Sequence, residues 1–246
     1  MDPTIFWTLV DRSSADLSVS ERFLAPPERR KLASLRFPKR RDEWLLGRWA
    51  AKSLVKSIPS YQYFSADEME IQTTSEGAPY LCLPSGSASQ DCLSISHCER
   101  HALCALSSGP GLKFGVDLEK IEARPENFIE DYFTPSEREM VHSYPLELRD
   151  LVATLVWSLK EAMLKALGVG LRWDTRRVEV ADTDDLFVPN GHQPWREIQV
   201  GDHEQKDRGW AAWWQRRDGF ILTIAGFTQD RPDLQSFQLV EKGILI

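Results

Sequence analysis

Two short segments carry side chains that could do chemistry together. The first is Phe114-Gly115-Val116-Asp117-Leu118-Glu119. Side chains alternate along a strand, so Gly115, Asp117 and Glu119 share one face and Phe114, Val116 and Leu118 the other. The two carboxylates then sit about 7 Å apart along the strand by its rise. They repel unless a cation lies between them, and a hard divalent ion with oxygen ligands meets that need. The plainer alternative is a solvated strand face that carries two acids. The second segment is Trp157-Ser158-Leu159-Lys160-Glu161-Ala162-Met163-Leu164-Lys165. Helical spacing puts Trp157, Glu161 and Lys165 on one stripe. Here the plainer alternative is a surface Glu–Lys pair worth ~0.3–0.5 kcal/mol, although a Trp on the same stripe argues against full solvation. Together, three carboxylates and a lysine from a strand and a helix suit Mg²⁺ and a bound diphosphate. The ion would neutralise phosphate oxygens and charge on the leaving group, and Lys165 would add a cation.

The surrounding sequence supplies the elements that must position these groups. Thr4 to Val10 reads as a strand of bulky and β-branched residues. Pro26-Pro27 opens a basic helical region. A longer helix runs from about Lys39 to Ile58, and Pro59 stops it. Ser75 to Gln90, rich in Ser, Gly and Pro, reads as loop. Strands follow at Cys92–His97, at His101–Leu106 and, after a Gly109-Pro110-Gly111 turn, at Lys113–Ile121. Thr134-Pro135-Ser136-Glu137 has the cap, the N1 proline and the acid of a capping box. A second long helix covers about Asp150 to Leu167, ending at Gly168. Strands return at Arg177–Val180, Gly209–Gln215 and Phe220–Phe227. The class is α+β, in two halves of similar plan that divide near Ser108–Lys113. Only the element order hints at duplication, with no residue-level repeat.

Composition is that of a globular protein: 246 residues, 42% hydrophobic and 27% charged. No apolar run approaches the ~18 residues of a membrane span, and Asp2 with a short apolar stretch does not make a signal peptide. A soluble, cytoplasmic protein is expected. Cys82, Cys92, Cys98 and Cys104 form no C-x-x-C pair, so zinc and dithiol motifs are not indicated. The net charge of −7 argues against general nucleic-acid binding. The charge is uneven: from Glu28 to Lys52 nine Lys/Arg face three acids, a local +6 that leaves −13 elsewhere. A basic patch on an acidic chain suits a small polyanion, such as a nucleotide phosphate.

Gly-Val-Asp-Leu-Glu followed about forty residues later by Trp-Ser-Leu-Lys-Glu-Ala-Met-Leu-Lys resembles the signature pair of the 4′-phosphopantetheinyl transferases of the surfactin-synthetase-activating (Sfp) type. Gly77-Ala78-Pro79 resembles the family's G-x-P element, and Ser94-Ile95-Ser96-His97 its S-x-S-H element. Arg40 to Arg48 resembles its basic helix ending in Gly-Arg. The resemblance spans roughly residues 27–171. It implies two pseudo-symmetric α+β halves in one chain, usually monomeric, with the active site in the cleft between them. Residues 1–110 would form the half that contacts the coenzyme A 3′-phosphate, and 111–246 the half with the metal and diphosphate site. The implied reaction moves phosphopantetheine from coenzyme A to a serine of an acyl or peptidyl carrier protein, releasing adenosine 3′,5′-bisphosphate.

By the same resemblance, Asp117, Glu119 and Glu161 would ligate Mg²⁺. Glu161 would also be a candidate base toward the carrier serine, directly or through water. Lys165 would hold the diphosphate and, with Glu161, form the catalytic pair. Ser96 and His97 would lie at a coenzyme A phosphate, and Arg48 with Arg40 or Arg41 would bind the same nucleotide. Around a helix, Arg41 and Arg48 fall about 20° apart and Arg40 and Arg48 about 80°, which favours Arg41. The motif alignment favours Arg40, so both stand. A protein that binds coenzyme A or a carrier without catalysis, and a metal-dependent nucleotide diphosphate hydrolase, are the alternatives. Carrier docking is expected around Asp131 to Tyr144, with Phe133 and Met140 offered to the partner. Trp210, Trp213 and Trp214 read as core.

Overall fold

The computed structural model describes residues 3–108, 111–181, 194–205, 209–228 and 237–243. In chain order the strands and α-helices are β1 (Thr4–Asp11), α1 (Ser20–Phe23), α2 (Pro26–Ser34), α3 (Pro38–Lys56), β2 (Glu70–Thr73), β3 (Pro79–Cys82), β4 (Leu93–Cys98), β5 (His101–Ser108) and β6 (Leu112–Lys120). Then come α4 (Glu126–Tyr132), α5 (Pro135–Ser143), α6 (Leu146–Ala166), β7 (Val178–Val180), β8 (Arg196–Ile198), β9 (Val200–Asp202), β10 (Trp210–Arg217), β11 (Phe220–Thr228) and β12 (Gln238–Glu241). Short 3₁₀ turns fill several of the connections. Among the described residues, no helix is long and apolar enough to cross a membrane.

Contacts divide the chain into one unit of residues 1–110 with 237–246, and a second of residues 111–236. The expectation that residues 111–246 stay together is corrected here. β12 pairs parallel to β1, Gln238 opposite Thr4 and Glu241 opposite Trp7, so the last strand completes the first unit's sheet. That sheet has the order β12-β1-β5-β4; the second unit's has the order β6-β11-β10-β8. In each unit the first strand neighbours the last strand of a hairpin, and one long helix covers the sheet. In the first unit α3 buries Leu46, Trp49, Ala50 and Leu54. In the second, α6 buries Val152, Leu155, Val156 and Leu159, while Trp214 and Ile221 line the facing core. The Trp segment on β10 is largely interior, with Trp213 and Trp214 buried and Trp210 partly so.

The expected loop from Ser75 to Gln90 contains β3, which pairs with β2 through Leu81 opposite Ile71. The Pro and Gly on either side hide a short strand whose one buried side chain, Leu81, is enough to seat it. The capping box at Thr134 is present: Thr134 Oγ1 accepts from Glu137 N at 3.2 Å, and Glu137 Oε2 accepts from Thr134 N at 2.8 Å.

A residue-level repeat also exists, contrary to the sequence reading. In the second unit Glu137, third residue of α5, accepts from Thr134 N and, at 2.9 Å, from Val180 N of β7. Lys160 on α6, fully buried, donates to both Glu137 oxygens at 2.8 and 2.6 Å and to Val178 O at 2.6 Å. In the first unit Glu28, third residue of α2, accepts from Ala25 N at 2.8 Å and from Ile71 N of β2 at 3.1 Å. Lys52 on α3, also fully buried, donates to Glu28, to Phe23 O and Met69 O at 2.7 Å, and to Ala66 O at 2.9 Å. Each lysine follows a tryptophan by three residues: Trp49-Ala50-Ala51-Lys52 and Trp157-Ser158-Leu159-Lys160. Each unit therefore ties helix start, long helix and strand together with one internal Glu–Lys pair. Burial pulls both lysines' proton affinity down, and the paired glutamates pull it back up.

Candidate active site

The strand face of Gly115, Asp117 and Glu119 packs directly on α6, and Gly115 makes that approach feasible. A Cβ on Gly115 would lie 2.2 Å from Ala162 O, 2.6 Å from Lys165 Cβ and 2.8 Å from Ala166 N. Only a residue without a side chain lets the helix come this close. The closeness sets the Trp157, Glu161 and Lys165 stripe against the two strand acids. The sequence reading gave Gly115 no role beyond its place on the face.

Asp117 is buried. Its Oδ1 accepts from Lys165 Nζ at 2.6 Å and its Oδ2 from Ser158 Oγ at 2.9 Å. Thr223, cross-strand from Asp117 on β11, lies 2.9 Å from Ser158 Oγ and donates to Ser158 O at 3.0 Å. Ser158 and Thr223 thus brace the aspartate, and neither was singled out from the sequence. Their signal was available: Ser158 sits one residue past Trp157 on α6, and Thr223 is the one hydroxyl inside a strand that is otherwise apolar up to its last residue, Thr228.

Glu119 is held at both oxygens. Trp157 Nε1 donates to Oε1 at 3.1 Å, and Arg124 Nη2 donates to Oε2 at 2.8 Å. Burial raises the proton affinity of Glu119 and the charge of Asp117 adds to it, while Arg124 and Trp157 oppose them. Trp157 is itself fixed edge-on by Phe128 and Tyr132, at ring separations of 4.8 and 5.3 Å. Glu161, half-buried, makes no direct hydrogen bond or ion pair among the described residues. Its carboxyl is pushed up to about 7, first by burial and then by Asp117 and Glu119, with Lys165 pulling the other way.

The donor set is all hard oxygen; Asp117 raises the proton affinity of Glu119, and both raise that of Glu161. That is the electrostatic signature of a site short of positive charge, and it fits a divalent ion. As placed, the acids are turned to internal partners instead: Asp117 to Lys165, Glu119 to Arg124. Among the described residues no three His, Cys, Asp or Glu side chains converge as a metal cage.

The first unit holds the groups expected at the nucleotide. Arg40 and Arg41 are both exposed on the first turns of α3. His97 is exposed at the end of β4, with Nε2 3.5 Å from Glu43 Oε2, and Ser96 beside it is buried. Arg48 is not presented in the same way. It is buried, its Nε lies 3.4 Å from Glu28 Oε1, and its guanidinium lies 4.7 Å from the Trp44 ring centre. As placed it is a counter-ion of the Glu28–Lys52 pair rather than an open anion contact. The docking expectation at Phe133 is also corrected: Phe133 is fully buried, packed near Phe128, whereas Tyr132 beside it is 38% exposed. Both adjacent aromatics lie near the Phe128 ring where α4 ends, but tertiary packing buries only Phe133 completely.

Comparison with known proteins finds likeness to one superfamily. Residues 113–225 match the family model of the 4′-phosphopantetheinyl transferase superfamily, a span that holds both chemical segments. The chain is 26% identical over 208 residues to the human L-aminoadipate-semialdehyde dehydrogenase-phosphopantetheinyl transferase, covering 81% of this chain and 65% of that protein. It is 31% identical over 168 residues to 4′-phosphopantetheinyl transferase pptA of Paxillus involutus, covering 60% and 64% of the two chains. Among solved structures, a holo-(acyl-carrier-protein) synthase from Bacillus anthracis aligns with TM-score 0.37 at 21% identity, over 44% of this chain and 96% of that one. Over residues 113–225 the chain is thus similar to the 4′-phosphopantetheinyl transferase superfamily. The chain spans just under two thirds of the length of the human relative.

Proposed function

We propose that this chain transfers 4′-phosphopantetheine from coenzyme A to a serine of an acyl or peptidyl carrier protein, releasing adenosine 3′,5′-bisphosphate. The observation that carries the reading is the close packing of Glu161 and Lys165 on α6 against Asp117 and Glu119 on β6, which Gly115 permits. Glu161 would take the proton of the carrier serine, directly or through water. Lys165, whose ammonium is partly exposed, would turn from Asp117 to the diphosphate. Asp117, Glu119 and Glu161 would hold Mg²⁺, which when bound neutralises phosphate charge and stabilises the leaving group. Ser158 and Thr223 would keep Asp117 oriented. Arg40, Arg41, Ser96 and His97 would serve the nucleotide phosphates. Magnesium as the ion, a monomeric state and a cytoplasmic location belong to the same proposal.

The test is an apo carrier protein incubated with coenzyme A, Mg²⁺ and the chain. The expected outcome is a carrier heavier by one phosphopantetheine, with no reaction for Glu161→Gln. Unchanged mass across several carriers would overturn the proposal. Release of adenosine 3′,5′-bisphosphate without any carrier would make the protein a hydrolase instead.

A further inference from the structure

Arg124 is not used by the reaction just described, yet it occupies one of the carboxylates assigned to the ion. Its Nη2 takes Glu119 Oε2 at 2.8 Å, and the other Glu119 oxygen is already engaged by Trp157. An ion that binds Glu119 either displaces Arg124 from Oε2 or shares the carboxylate with its guanidinium. Two like charges at one oxygen repel strongly in a partly buried site. Arg124 also has somewhere to go. Its Nη1 lies 3.7 Å from Glu122 Oε1, on a more exposed side chain, and its guanidinium lies 5.3 Å from the Phe128 ring centre. Its Nε is buried without a hydrogen-bond partner among the described residues. The guanidinium is therefore only partly satisfied where it stands, and a swing toward Glu122 gives up one strong bond and not a full set.

We infer that Arg124 is a built-in counter-cation that holds the place of the divalent ion at Glu119 and passes to Glu122 when the ion loads. Arg124 is thus a positioning residue that sets the ion concentration at which the site fills. Lys165 plays a different part, because it is assigned to the diphosphate and engages Asp117. The inference rests on the proposal that Asp117, Glu119 and Glu161 take Mg²⁺.

The test is calorimetric titration of Mg²⁺, and of Mn²⁺ as a second probe, into the full chain without coenzyme A. Arg124→Gln should bind the ion roughly fivefold or more tighter than wild type, as expected for removing a unit charge a few ångström away. Arg124→Lys, which keeps the charge, should return affinity toward wild type. A merely structural arginine predicts weaker or unchanged binding in Arg124→Gln, and either result overturns the inference. In the wild-type chain, the Arg124 Nε–H resonance should shift with the same ion dependence as the heat. A resonance that stays put while the ion binds overturns the inference too, even if Arg124→Gln fails to fold. If neither wild type nor variant takes up ion, the metal assignment falls and carries the inference with it. If both take it up equally, the inference alone falls.

Discussion

The long helix of each unit carries Trp-x-x-Lys, and the two tryptophans are used differently. Trp157 donates its indole N–H to Glu119, whereas Trp49 Nε1 is buried with no hydrogen-bond partner among the described residues. After the lysine comes Glu161 in the second unit and Ser53 in the first, and Ser53 Oγ is likewise buried without a partner. The strand that leads the second unit offers Asp117 and Glu119. The strand that leads the first offers Thr8 and bulky apolar groups until Asp11 at its end. The internal Glu–Lys pair is common to both units, while the acids are confined to one. The frame is therefore separable from the chemistry it carries: the pair fixes helices to strands, and the residues one position along decide whether a reactive face results.

The largest expected effect separates the two units at their glycines. Gly115→Val forces a side chain into the backbone of α6 and should destabilise the chain by about 5 kcal/mol or more. Gly47→Ala, whose Cβ would meet Ile95 Cγ2 at 3.4 Å in ordinary contact, should be neutral or stabilise by up to about 1 kcal/mol through helix propensity. Urea denaturation measures both, and equal losses would mean that α3 and α6 lie equally close to their sheets.

Next come the lysines. Lys160→Ala strands the buried Glu137 and should cost about 3–5 kcal/mol, whereas Lys52→Ala leaves Glu28 with Arg48 as its remaining cation, 3.4 Å away. Lys52→Ala in turn orphans three carbonyls where Lys160→Ala orphans one, so the two losses should agree within about 1 kcal/mol by urea denaturation.

Glu161 gives a smaller, pH-dependent effect. Folding raises its carboxyl from 4.5 to about 7, so across that window the folded chain binds more protons than the unfolded chain. Stability therefore falls as pH rises through the window, and the penalty is fully present above it. Glu161→Gln should stabilise the ion-free chain by about 2 kcal/mol at pH 8, after allowance for partial exposure, and by almost nothing near pH 4. A gain independent of pH would refute the assigned cause.

Smallest are the exposed cations of the first unit. Arg40→Ala and Arg41→Ala should each raise the KM for coenzyme A roughly threefold to tenfold with kcat unchanged, as for a solvated charge contact. The larger of the two effects picks the nucleotide-facing arginine.

The site was largely legible in the sequence because its parts obey the simple periods. Asp117 and Glu119 lie two apart on a strand, and Trp157, Glu161 and Lys165 lie four apart on a helix. What escaped is what depends on distance in space. Gly115 shows its purpose only when α6 is laid against it. Arg124 lies in the connection after β6, where no period points its side chain back at Glu119. The duplicated Glu–Lys pair was invisible because few residues repeat in each half, with different neighbours around them. It emerges when Glu28 and Glu137 are seen to accept from equivalent strands. Phe133 and Tyr132 show the same limit on a small scale: two adjacent aromatics, and nothing local to say which one turns inward.

β12 has a consequence for how the chain is made. The first unit's sheet has four strands, and three of them, β1, β4 and β5, are complete by residue 108. The fourth lies beyond the whole second unit, beginning at Gln238. At about 5–20 residues per second of synthesis, β1 stands as an open edge for roughly 6–26 seconds while the intervening residues are translated. An open edge from Thr4 to Trp7 is a template for the wrong strand. A nascent chain stalled or cut before residue 238 is thus expected to aggregate more readily than the full chain, even though it carries every residue of the candidate site.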